Sequence, residues 1–93
     1  TGVHIMKKLI IAALLLTASS VTLAGPKCTD GENANWIPED TMKQQIEEQG
    51  YSIKKFKKTS GGCYEIYGYD NKNNKVEIYF HPETGDIVKK KMD

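Results

Sequence analysis

The stretch Cys63–Val88, CYEIYGYDNKNNKVEIYFHPETGDIV, restricts the fold more than any other part of the chain. Side chains alternate across a strand, so Tyr64, Ile66 and Gly68 share one face of 63–69. Val76, Ile78 and Phe80 likewise share one face of 75–81. Setting both apolar rows on one side of an antiparallel pair puts 66 opposite 78, 64 opposite 80 and 68 opposite 76. A slip by one residue would turn one row out to water, so the register is strongly specified. The other face then carries Cys63, Glu65, Tyr67 and Tyr69 opposite His81, Tyr79, Glu77 and Lys75. The connection Asp70-Asn71-Lys72-Asn73-Asn74 consists of residues that tolerate left-handed backbone or form Asx turns, and reads as a loop.

Tyr51–Lys58 (YSIKKFKK) is expected to be a further strand. Ile53 and Phe56 are an odd number of residues apart, so a regular strand cannot turn both inward. A bulge or an early strand end follows. Thr59-Ser60-Gly61-Gly62 turns the chain into the hairpin, and His81-Pro82-Glu83-Thr84-Gly85 turns it into a last strand, Asp86–Lys90. In a simple meander the first and fourth strands are outermost, and these carry Lys54, Lys55, Lys57, Lys58, Lys89, Lys90 and Lys91. Lysines on edge strands suppress edge-to-edge pairing. The same residues would also form a basic docking strip for an acidic partner.

Upstream, Pro38 suits the first helical position, where its missing N–H costs nothing. Glu39 and Asp40 follow, where the helix dipole favours negative charge. Ile37, Met42 and Ile46 make a narrow apolar stripe with Gln45 and Gln49 at its margin. Gly50 suits the residue after the helix, and Tyr51 could pack back on Ile46 as in a Schellman cap. A helix over 38–49 is expected. The fold class is therefore α+β: one helix packed on a small antiparallel sheet, a meander of about four strands. Trp36 sits where the helix begins; its indole either packs there or serves as a binding anchor.

Residues 1–5 precede the first methionine and read as a cloning remnant or a mis-set start. Lys7 and Lys8, then Leu9–Leu16, then Thr22-Leu23-Ala24 form the charged, apolar and small-residue regions of a secretory signal, 6–24. The apolar run falls short of the ~18–20 residues a membrane span needs, so no membrane insertion is expected once the signal is removed. Gly25-Pro26-Lys27 before Cys28 does not make a lipobox. Residues 25–37 are then a leader loop and 38–90 the domain. Without Lys7 and Lys8 the basic residues fall from 13 to 11 against 12 acids. That balance is no electrostatic footprint for nucleic acid. Cys28 and Cys63 remain in an exported chain, where a disulfide is the default. A redox or metal pair would call for a CxxC or a histidine pattern, which the sequence lacks. Because Cys63 starts its strand on the face away from the apolar row, the leader should wrap around the end of the sheet.

These residues resemble the PepSY family, specifically its small exported single-domain members. The matching residues are the helix ending in Gly50-Tyr51, the strand Ile53–Lys57 and Cys63-Tyr64-Glu65-Ile66-Tyr67-Gly68. Val76-Glu77-Ile78-Tyr79-Phe80 and Pro82-Glu83-Thr84-Gly85-Asp86-Ile87-Val88 complete the match. His81 departs from the aspartate that such sequences usually carry before the proline, which matters if that aspartate shapes the turn. The resemblance implies a helix on an antiparallel sheet, no catalytic residue, and a role in binding or inhibiting peptidases.

The residues themselves agree on the absence of catalysis. After signal removal the one histidine is His81, so no zinc site, and no other cofactor site, is expected. Glu47 and Glu48 are neighbours on a helix and point apart. Glu65 and Glu77 share the outer face diagonally, interleaved with tyrosines, and are expected as solvated partners of the sheet. Glu65, Tyr67, Tyr69, Glu77, Tyr79 and His81 form the candidate binding surface, unless they serve as cross-strand pairs that stabilise a half-exposed sheet. On the binding reading, serine at 67 and 79 abolishes partner capture and leaves the fold intact. The chain is thus expected to be a periplasmic or secreted non-enzymatic module that restrains a peptidase or a related envelope protein. The alternative is an accessory or sensory protein partnering a membrane redox or signalling system.

Overall fold

A computed structural model describes residues 25–93. The readings of 1–5 and of the signal segment 6–24 lie outside the described residues. Within them the chain forms one helix, α1 (Glu39–Glu48), and four strands: β1 (Ser52–Lys58), β2 (Tyr64–Tyr69), β3 (Lys75–Phe80) and β4 (Ile87–Met92). The strands make one antiparallel sheet in the order β1-β2-β3-β4, the expected meander.

The central hairpin has the register that parity requires. Ile66 faces Ile78, Tyr64 faces Phe80 and Gly68 faces Val76. In β1 the register shifts between Ile53, opposite Gly68, and Lys55, opposite Tyr67. Lys54 is the extra residue, and the bulge brings Ile53 and Phe56 onto the same face of the sheet. β4 runs two residues further than Lys90, because Lys91 and Met92 still pair with Glu77 and Val76. It also carries a second shift, between Tyr79–Lys89 and Phe80–Ile87, which leaves Val88 as the extra residue.

The helix is one residue shorter at each end than the apolar stripe suggests. Pro38 is the residue before it, with φ −56° and ψ 145°, rather than its first turn. Its end matches the expected cap. Gly50, at φ +100°, donates its N–H to Glu47 O at 3.0 Å, and Tyr51 N–H reaches Ile46 O at 3.5 Å. These are the two hydrogen bonds of a Schellman motif, and they turn the chain directly into β1.

Met42 and Ile46 from the helix, with Trp36 before it, close over Tyr64, Ile66, Val76, Ile78 and Phe80. Ile37, Tyr51, Ile53 and Phe56 pack around the margin. Each fully buried aliphatic or aromatic side chain contributes roughly 1.5–3 kcal/mol. Trp36 is therefore a core residue: its ring meets Tyr64 edge-on, with centroids 5.1 Å apart. Lys90 of β4 reaches across to the Tyr51 hydroxyl at 3.0 Å.

Cys28 and Cys63 are joined in a disulfide. The leader follows it around the sheet's end, as expected. Cys28 N–H donates to Gly61 O at 2.8 Å, Thr29 N–H to the same oxygen at 3.3 Å, and Thr29 Oγ1 to Gly62 O at 2.9 Å. A Cβ on Gly61 would run into the Pro26 carbonyl, so the Gly61-Gly62 turn is also the saddle on which the leader lies.

Candidate functional site

The sheet face opposite the helix is built by the second parity row of each strand. β2 supplies Glu65 and Tyr67, and β3 supplies Glu77 and Tyr79, with Glu65 opposite Tyr79 and Tyr67 opposite Glu77. The register then sets an edge lysine beside each acid: Lys57 opposite Glu65 on β1, and Lys91 opposite Glu77 on β4. Together with Gly25 of the leader these side chains line a groove of about 470 Å³. Lys57 Nζ stands 3.8 Å from Glu65 Oε1, and Lys91 Nζ 3.6 Å from Glu77 Oε1. Lys57 also lies over the Tyr67 ring, 5.7 Å from its centroid.

Burial divides this set. Glu65 is 3% exposed and Tyr79 is 5% exposed, whereas Tyr67 is 37% exposed. Tyr79 Oη donates to Glu77 Oε2 at 2.9 Å. Glu65 Oε2 is buried and receives no hydrogen bond from any described residue. An unmatched buried polar group of this kind costs roughly 1–3 kcal/mol. Burial, reinforced by the neighbouring Glu77 carboxyl, pushes Glu65 above the usual carboxylate range. Glu77 moves down to about 2, chiefly because Glu65 can share its proton with it, aided by the Tyr79 hydroxyl. The neighbouring Glu65 carboxyl pushes Tyr67 up to about 12, and burial pushes Tyr79 up as well. The floor of the groove is thus an acid pair in which protonation of one member favours ionisation of the other.

The PepSY_2 family model, described as peptidase propeptide and YPEB domain, matches residues 8–91. The chain belongs to this family. No curated protein and no solved structure matches the chain.

Of the six residues that parity assigns to the binding face, the PepSY fold gathers Glu65, Tyr67, Glu77 and Tyr79 in the groove. Tyr69 lies towards the other end of the sheet, in a smaller depression shared with Tyr67, Lys54 and Lys75. His81 turns to its own loop, where Nδ1 accepts the Glu83 N–H at 3.2 Å. Two expectations are corrected. Glu65 is not solvated, because the leader from Gly25 and the phenol of Tyr79 close that end of the outer face. For the same reason Tyr79 cannot be cut to serine without disturbing the fold. The edge lysines do more than protect the sheet's edges: Lys57 and Lys91 face the acid pair across the register.

From the sequence, Lys57 and Lys91 are expected only as edge lysines or as part of a basic docking strip, not beside the two acids, and Gly25 is expected only in the leader. The two lysines could have been found by carrying the hairpin's parity outward to both edges. Gly25 left no periodic signal, since it comes from a loop. Among the described residues no group of three or more His, Cys, Asp or Glu is placed to hold a metal ion, and no helix is long and apolar enough to cross a membrane.

Proposed function

We propose that this chain is an exported, non-enzymatic binding module that restrains a peptidase in the periplasm or outside the cell. The observation that carries this reading is the match of residues 8–91 to a family described as a peptidase propeptide domain. The Cys28–Cys63 disulfide fits an oxidising compartment. The segment 6–24 would deliver the chain there.

The contact face is the open part of the outer sheet, centred on Tyr67 with Lys57, Glu77 and Lys91 around it. Tyr67 stands on a central strand, so its backbone is held from both sides. A tyrosine on such a support covers a large area and gives up little conformational freedom on binding. The flanking lysines and acids offer charge of both signs, which suits a polar rim.

The experiment is a titration of the exported, oxidised protein against the purified exported peptidases of its source organism. Saturable, stoichiometric inhibition of one of them is expected, weakened about tenfold or more by Tyr67→Ser. A flat response from every peptidase would overturn this reading and leave an accessory envelope role in its place.

A further inference from the structure

The floor of the outer groove holds two acids whose hydrogen-bonding capacity its neighbours do not fill. Glu65 Oε2 receives no hydrogen bond from any described residue. The nearest cation to the other oxygen, Lys57 Nζ, is 3.8 Å away, beyond hydrogen-bond reach. Lys91 Nζ is 3.6 Å from Glu77, again too far to donate well. Lys58, the remaining cation at the rim, is held by Glu32 at 3.1 Å. Buried Glu65 and half-buried Glu77 therefore lack a close positive donor.

One residue from outside the sheet reaches this floor. Gly25 lines the groove with Glu65, Glu77 and Tyr79. It lies so close to Tyr79 that a Cβ would stand 2.7 Å from the phenol oxygen, the same oxygen that donates to Glu77. Its φ of +98° also favours glycine. The approach is fixed from behind by the Cys28–Cys63 disulfide and by the Cys28 N–H bond to Gly61. In the sequence, the bond before Gly25 follows Thr22-Leu23-Ala24, with small residues at the two positions a signal peptidase reads.

We propose that hydrolysis of the Ala24–Gly25 bond completes this groove, because the α-ammonium it creates on Gly25 seats against Glu65 and Glu77 as their missing donor. Water adds across the peptide bond; the carboxylate departs with Ala24, and the amine stays on Gly25 and takes the proton. A neutral amide with at most one N–H becomes an ammonium with three. One such group satisfies Glu65 Oε2, offsets the repulsion within the acid pair, and pins the leader over the outer face. Before cleavage the same position carries no charge, so the finished face belongs to the processed chain alone. This inference does not depend on the peptidase reading.

The test uses the full chain, exported with its own signal and recovered in processed form. Its mass should identify Gly25 as the first residue; any other first residue overturns the proposal. The N-terminal amine is then acylated at neutral pH, folded and in urea. Pairing should slow the folded reaction about tenfold or more relative to the unfolded chain. A variant with one alanine inserted after Ala24, and cleaved to start at that alanine, should lose most of the slowing. Glu65→Gln combined with Glu77→Gln should lose it too, with the first residue unchanged. Equal rates in the folded and unfolded wild type overturn the proposal, a result that needs no variant to fold. Slowing that survives the double substitution also overturns it, since steric cover alone would then explain the protection.

Discussion

The phenol of Tyr64 donates a hydrogen bond to the backbone carbonyl of Ile37 at 2.6 Å. It ties the first residue of a central strand to the chain just before the helix, next to the edge-on contact with Trp36. Tyr64 is 1% exposed, so water cannot readily replace this bond. Tyr64→Phe keeps both ring contacts, with Trp36 and with Phe56, and removes only the donor. The variant should lose about 1–2 kcal/mol in urea unfolding with an unchanged m-value. A loss under a few tenths would mean that the bond does not hold the helix start in place.

The disulfide links positions 35 apart in sequence. Cross-linking a loop of that length stabilises a chain by roughly 3–4 kcal/mol in the chain-entropy model. For one small domain that is a large share of the total. Cys28→Ser with Cys63→Ser should therefore lower the thermal midpoint by well over 10 °C. It should also free the leader, raising amide exchange over residues 25–29 before the rest of the sheet.

His81 Nδ1 accepts the Glu83 N–H across the turn into β4, as an aspartate oxygen does in an Asx turn. The imidazole thus does in this turn what a side-chain carboxylate could do. His81→Asp should leave stability within about 0.5 kcal/mol, whereas His81→Ala should cost about 0.5–1.5 kcal/mol. Equal losses in both variants would show that the bond is incidental.

Glu77 has a folded pKa of about 2 against an ordinary value of 4.5. A depressed carboxylate contributes stability that is present above its unfolded pKa and lost as pH falls through the folded one. Its window is thus 4.5 down to about 2. Glu65 has the opposite sign: its pKa is raised, so its contribution is present at low pH and lost as pH rises. Glu77→Gln should be less stable than wild type at pH 6 and lose less on acidification through that window. Parallel acid unfolding curves for the two proteins would remove Glu77 from the account.

Much of the fold was legible because it follows from the spacing of near neighbours. The parity of Tyr64, Ile66, Val76, Ile78 and Phe80 specified the hairpin register that the sheet adopts. The odd interval between Ile53 and Phe56 required the bulge that appears at Lys54. Gly50-Tyr51 announced the helix cap, and two cysteines behind a signal-like segment announced their bond. The second bulge, at Val88, was not legible: every residue of β4 is exposed, so no buried row enforced a pattern there. The candidate site was half legible. Alternation placed Glu65, Tyr67, Glu77 and Tyr79 on one face, but alternation states only which side of the sheet a residue takes. Whether that side meets water is set by what crosses it. Here a leader without periodic pattern, anchored by a bond to a residue 35 positions away, covers Glu65 and Tyr79 and leaves Tyr67 open.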